Sequence, residues 1–423
     1  MMFASLLGGI ATALRSRDYR RFWLSNFLST IGRWLYRTAV GWLVWELTES
    51  TSWLGIVAFS DTFPMVVFSV FAGAISDQVG CVRVMRISQF IATIVLATFA
   101  ALALTGSLTI EMVLILVPLY GTLEAISTPP RAAVVHSLVP KGDLAAAIAL
   151  NSASFNACRV LGPSLAGVLI LWFDAGTVVA VAALMLFQLF IVLLLIPKDA
   201  GRGSGRISFA LFRDVRDGVI YAARHPGIRY VMLILAGTGL FIRPFMDMLP
   251  GFAAAVFGRG PEGLALLLAS IGAGALCACL WLAHRGRIEN LTGIVTNSLV
   301  TCGVALIVFT FAGYIWLAAF VLTFVGFFML VTGVGSQTLI QTAVDARVRA
   351  RVMSLYIVIS FGLPALGSVT MGWLAEFFGL QHTIAAGAAL TVLLWLWART
   401  AYRRFAPALE QPDLAAAAHG KGH

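Results

Sequence analysis

The chain has 423 residues, 60% of them hydrophobic and only 11% charged, whereas soluble domains carry about 25% charged residues. That balance excludes a soluble enzyme of this length, and the repeated apolar runs of the ~20 residues that one span needs point to several membrane spans rather than one anchor. The net charge is +10, but the basic residues sit in short loops between apolar runs, which is a topology signal and not a nucleic-acid surface.

Residues 1–21 read as a cytoplasmic or interfacial segment. Their apolar stretch precedes its charges, Arg15 to Arg21, the reverse of a signal peptide. Twelve apolar segments follow, at 22–45, 53–75, 84–104, 108–129, 144–172 and 176–196, then 229–257, 262–283, 289–312, 314–340, 351–378 and 381–400. Between the sixth and seventh, residues 198–228 form a Gly/Ser/Arg-rich linker leading into an amphipathic helix around Phe209–Arg224. The expected organisation is an all-α membrane protein of two six-helix bundles, 22–197 and 229–402, followed by a cytoplasmic tail over 403–423.

The basic residues orient it. Arg33, Arg37, Arg159 and Arg243 lie inside spans, and Arg259 falls in the loop after the seventh. Every other basic residue lies on the opposite side from Arg259, the side that carries both termini, so the positive-inside rule places both termini in the cytoplasm. Trp45 and Trp53 flank the first outer loop, as interface aromatics do. A weak repeat supports two halves: Phe155/Tyr356, Pro163/Pro364, Leu165/Leu366, Val168/Val369 and Trp172/Trp373 share one sequence offset, about half the chain. Parallel repeats of this kind are a transporter architecture with its site between the halves.

Charges at mid-bilayer cost at least about 2.5–3.5 kcal/mol on insertion scales and mark pathways or paired groups. In the first span Asn26, Ser29/Thr30, Arg33 and Arg37 recur at helical spacing as one polar stripe. The two arginines read either as a surface for an anionic or carbonyl-rich group or as partners of buried carboxylates. Asp61 in the second span matches Arg37 in depth, so the two are expected to pair. Glu124 lies deeper in the fourth span, with Ser127 and Arg131 on its face. Desolvation would make either carboxylate a proton carrier; a neighbouring arginine would instead neutralise it. Arg243 and Asp247, four residues apart, are expected to pair along one helix face, with Pro244 kinking the helix between them. Gln337 and Gln341 give the tenth span a polar face, lining a cavity or meeting water at a helix end.

Two motifs carry a resemblance. The segment Gly73-Ala-Ile-Ser-Asp77-Gln-Val-Gly80-Cys-Val-Arg83, read as the loop after the second span, is similar to the signature loop of the major facilitator superfamily, with Gln78, Cys81 and Val82 where basic residues are usual. The resemblance implies a cytoplasmic gate of Gly73, Asp77, Gly80 and Arg83, in which the Asp engages the start of the eleventh span near Arg351 and an Arg at the end of the fourth, here Arg131. The fifth span, Arg159-Val-Leu-Gly162-Pro163-Ser-Leu-Ala-Gly167, resembles the antiporter motif of drug–proton exporters, with Ala166 in place of one glycine; helix packing alone also accounts for its small residues. Together with the stretches Arg17–Ser50, Thr128–Pro140 and Arg349–Ser368, these resemble the enterobactin-exporter and macrolide-efflux branch over about residues 20–405. The resemblance implies a proton-coupled exporter of an amphiphilic, drug- or siderophore-like molecule in a bacterial inner membrane. A lysophospholipid or lipid-like flippase, or an uncoupled facilitator, is the alternative. No cofactor beyond the proton gradient is expected. The expected partners are a small-molecule substrate, protons and membrane lipids, with no nucleic acid and a monomeric chain. The histidines and the five cysteines show no metal-ligand spacing, so an enzyme is not expected.

Overall fold

The computed structural model describes residues 12, 14–197, 211–345 and 348–410; most of the N-terminal segment, the 198–210 part of the linker and the tail from 411 lie outside the described residues. The first six spans are α1 (Arg17–Thr48), α2 (Thr51–Val79), α3 (Cys81–Leu104), α4 (Ile110–Leu138), α5 (Leu144–Trp172) and α6 (Ala175–Leu195). The expected amphipathic helix is α7, Leu211–Arg224. The remaining spans follow as α8 (Pro226–Phe241) with its irregular extension to Val256, α9 (Pro261–Arg285), α10 (Leu291–Thr310), α11 (Ile315–Ala343), α12 (Arg349–Ile357) continued by α13 (Leu363–Phe378), and α14 (Leu380–Glu410). Eleven of these twelve spans are apolar enough to cross a membrane by composition alone. The twelfth, α1, has the length, 32 residues, but carries the charged stripe.

Local chemistry sets the helix ends. The Ser16 hydroxyl accepts from the Tyr19 N–H at the start of α1 and donates to the Leu138 carbonyl at the end of α4, 2.9 Å away. The Asp174 carboxylate caps α6 through the Thr177 N–H and hydroxyl, both at 2.7 Å. Burial pushes this carboxyl up, and the Thr177 hydrogen bonds outweigh it, so the group titrates below the usual carboxylate range. His225 Nδ1 accepts from the Ile228 N–H and caps α8. The Glu410 carboxylate accepts from the Asn290 and Thr292 N–H groups at the start of α10, at 2.6 and 2.8 Å. The last helix therefore runs beyond the expected end at residue 400, because its final carboxylate has a helix N-terminus to satisfy.

Two differences from the sequence reading concern backbone. The segment 73–83 is not a loop: α2 continues to Val79, α3 starts at Cys81, and Gly80 alone joins them at φ 99°. That angle belongs to the region glycine tolerates without a Cβ penalty, so one glycine makes the whole turn. The fourth span was expected to stop near 129, yet α4 passes through Pro129 and Pro130 to Leu138.

The described chain divides into two compact units, residues 1–49 with 60–208 and residues 50–59 with 209–423. Each has its own packed interior. Tyr19, Phe22, Met85, Val134 and Leu189 form one core cluster in the first. Tyr230, Val231, Leu299, Leu339 and Val352 form one in the second. Outward positions are apolar: Trp172, Leu280, Trp316 and Phe320 are all more than 60% exposed, as a hydrocarbon solvent allows. Two of the five repeat pairs, Trp172 with Trp373 and Leu165 with Leu366, are exposed in both spans.

Candidate functional site

The first unit gathers its buried charges around Glu124. On α4, Tyr120, Glu124, Ser127 and Arg131 fall four, three and four residues apart and share one face. Arg33 on α1 places Nη1 3.1 Å from one Glu124 oxygen, and Arg131 places Nη2 3.4 Å from the other. Gln89 on α3 donates to Glu124 Oε1 at 3.2 Å and to the Ser127 hydroxyl at 3.0 Å, and Arg131 also donates to that hydroxyl. Glu124 and Arg131 are buried. In this conformation Glu124 is therefore a carboxylate held between two guanidiniums, the neutralised alternative of the sequence reading.

Toward the outer end, the expected Arg37–Asp61 pair is present at 3.7 Å, with Thr62 accepting from the same guanidinium at 3.4 Å. Helices α2 and α4 touch here: a Cβ at Gly121 would run into the Asp61 carbonyl. Asn26, on the same α1 stripe, donates to the Asn151 side chain on α5 at 3.3 Å. The antiporter-like segment packs behind Arg33. Gly162, Pro163 and Gly167 are buried, and a Cβ at Gly162 would strike the Trp34 side chain. Its small residues thus let α5 approach α1 closely. Arg159, one turn before, is half-buried.

The segment likened to a gate is placed only in part. Gly73 is helical with open space where a Cβ would stand, Arg83 is exposed, and the Asp77 side chain lies outside the described residues. Arg131 turns inward to Glu124 and Ser127. Arg86, one turn beyond Arg83, donates to the Leu193 and Ile196 carbonyls at 2.9 and 2.6 Å and so caps the C-terminus of α6.

In the second unit, Arg243–Met248 is a 3₁₀ turn after α8 and not an α-helix. The α-helical register expected to align Arg243 with Asp247 is absent, because Pro244 removes a donor and ends α8. Arg243 Nη1 donates to the Ser360 carbonyl at 2.9 Å, and Asp247 accepts from the Ser368 hydroxyl at 2.7 Å. Ser360 sits in the π-helical stretch Val358–Gly362 between α12 and α13. Irregular backbone at membrane depth needs polar partners from neighbouring helices, and the Arg243 guanidinium supplies one. Gln337 is half-buried and Gln341 exposed on α11.

Several residues of this site escape sequence reading. Gln89 is a lone amide in an apolar run. Tyr36 and Tyr120 count as hydrophobic, and only their helical spacing from Arg33 and Glu124 marks them. Ser360 enters through its carbonyl, for which side-chain identity gives no signal.

Twelve spans in two six-helix bundles with buried, paired charges define a multi-pass membrane transporter of the major facilitator fold. The chain belongs to the transmembrane secretion effector family of that superfamily, whose model matches residues 9–422. Its curated relatives include the staphyloferrin A transporter of Staphylococcus aureus, 28% identical over 88% of this chain and 93% of that protein. The multidrug efflux pump Tap of Mycolicibacterium fortuitum is 25% identical over 89% and 92%, and macrolide efflux protein A of Streptococcus pyogenes 20% over 88% and 93%. Among solved structures, a bacterial homolog to the human lysosomal transporter Spinster superposes with a TM-score of 0.73 at 14% identity, covering 94% of this chain and 99% of that one. The nucleoside transporter NupG gives 0.70 at 13%, covering 90% and 99%. These likenesses concern the fold.

Proposed function

We propose that the protein exports an amphiphilic small molecule, drug- or siderophore-like, by alternating access, and that proton entry drives it. The observation that carries the coupling is the buried Glu124 between Arg33 and Arg131, with Asp61–Arg37 on the neighbouring helices. Each carboxylate has a cation that must separate from it before it takes a proton, which links protonation to helix movement. The efflux and siderophore-transport names of the relatives support the direction and the class of cargo. The one-sided arginine distribution supports a bacterial inner-membrane protein with both termini in the cytoplasm. In this reading the working unit is one chain surrounded by lipid, needing no cofactor beyond the proton gradient.

The test is efflux of macrolides, fluorescent amphiphiles and siderophores, staphyloferrin A among them, from a pump-deficient bacterial host, with and without a protonophore. The expected result is lowered accumulation of at least one compound, abolished by the protonophore and by Glu124→Gln with Asp61→Asn. Transport that persists after the gradient collapses would replace this reading with a facilitator or a lipid-like flippase.

A further inference from the structure

A pair of tyrosines in the first unit lies near both Asp61 and Glu124. Tyr36 on α1 and Tyr120 on α4 face each other with ring centroids 4.4 Å apart. Tyr36 follows Arg33 by three residues and precedes Arg37 by one, so it lies between the cations that hold Glu124 and Asp61. Tyr120 precedes Glu124 by one helical turn, ~6 Å of rise, and its neighbour Gly121 is where α4 meets the Asp61 backbone. Tyr120 lies within electrostatic reach of both Glu124 and Asp61, and Tyr36 within reach of Asp61 and Tyr120.

Both rings are 1% exposed, and both phenol oxygens are buried without a hydrogen-bond partner from the protein. Leaving a buried hydroxyl unsatisfied costs about 1–3 kcal/mol. Phenylalanine would fill the same space without that cost, and Phe99 does so at the edge of Tyr36, 6.1 Å away. Two adjacent tyrosines that pack as phenylalanines would, yet keep hydroxyls beside two carboxylates, need a reason for their oxygens.

We propose that Tyr36 and Tyr120, with water as their hydrogen-bond partner, form the proton-conducting link between Asp61 and Glu124. This rests on the proton-coupled reading above and assigns its route. A proton leaves the Asp61 carboxyl for the adjoining water. Each oxygen along the link gains one proton as it releases another, so every O–H bond broken is matched by one formed, and the last proton arrives on the Glu124 carboxylate. The net change is Asp61 from acid to carboxylate and Glu124 from carboxylate to acid. For Glu124 to take this proton, Arg33 and Arg131 must first draw away from it, and Arg37 then holds the new Asp61 anion. The groups facing this route are Arg33 and Arg37 from α1, Asp61 and Thr62 from α2, Gln89 from α3, Glu124, Ser127 and Arg131 from α4, and Cys158 from α5, which lies within electrostatic reach of Arg33.

The test uses the full chain in proteoliposomes with an entrapped pH dye and a transported compound. Wild type is compared with Tyr36→Phe, Tyr120→Phe and the double variant, each checked for unchanged thermal unfolding. The expected result is a fall in coupled turnover of about tenfold or more, with the half-saturating substrate concentration within about twofold. The solvent deuterium isotope effect of wild type should be lost or altered in the variants, because another step carries the proton. Proton flux and isotope effect equal to wild type in the double variant would overturn the assignment. So would loss of substrate affinity in parallel with turnover, which makes the tyrosines a binding surface. Wild type that carries substrate without moving protons would overturn the coupled reading itself and this route with it.

Discussion

Removing Arg33 probes the buried charge cluster most directly. Arg33 and Glu124 approach to 3.1 Å with side chains 22% and 8% exposed. Breaking one side of a buried ion pair costs about 3–5 kcal/mol when it strands the other charge. Here Glu124 keeps Arg131 at 3.4 Å and Gln89 at 3.2 Å, so Arg33→Met removes one charge-assisted contact, worth about 1.5–3 kcal/mol. Glu124→Gln strands two guanidiniums and should cost at least as much. The double variant removes both members of the pair, so its loss should fall short of the sum by about 1–3 kcal/mol. Thermal unfolding of the four purified proteins in one detergent measures this, at about 2–4 °C per kcal/mol for a bundle of this size. Additive shifts within about 0.5 kcal/mol would refute the claim that the two side chains act on each other.

Three further predictions follow from the packing and the caps. Gly121→Ala should lower the unfolding temperature by an amount matching about 1–3 kcal/mol, because its Cβ meets the Asp61 carbonyl and not a yielding side chain; an unchanged melting curve would mean that α2 and α4 do not touch there. Glu376 accepts from the Ser50 and Thr51 hydroxyls and the Ser52 N–H at the start of α2, so Glu376→Ala should speed amide hydrogen exchange over residues 51–54, while Glu376→Gln, which still accepts, should do so less. Burial holds His225 below its ordinary value of 6.5, so the unfolded chain takes up a proton first as pH falls. The α8 cap contributes fully above about pH 6.5 and weakens below it, which exchange at Ile228 and Arg229, corrected for intrinsic rates, should show; protection constant from pH 7.5 to 5 would contradict it.

The spans were legible because about twenty apolar residues in a row have few soluble explanations; the fifth helix begins and ends where its apolar run does, at Leu144 and Trp172. The first helix was read from its apolar run at 22–45, and helical spacing gathered Asn26, Thr30, Arg33 and Arg37 into one polar stripe within it. Asp61 with Arg37 followed from matching depth, a one-dimensional argument that a straight helix honours. Arg243 and Asp247 do not keep the α-helical register the sequence suggests, because Pro244 lies in a 3₁₀ turn. Gly73, Asp77 and Gly80 carry loop chemistry, yet only Gly80 turns the chain, since a glycine or aspartate near a helix end costs little where the next helix packs against it. The tyrosine pair was hidden for another reason: composition counts a ring and does not weigh its oxygen.

In the proposed reading, substrate export and proton entry are one event in this protein. The direct measurement is proton movement into substrate-loaded proteoliposomes with no imposed pH gradient, read by an entrapped pH-sensitive dye as substrate leaves. Coupled exchange predicts lumen acidification that starts with efflux, scales with the substrate gradient and disappears in Glu124→Gln with Asp61→Asn. Efflux at full rate with a constant internal pH would contradict it.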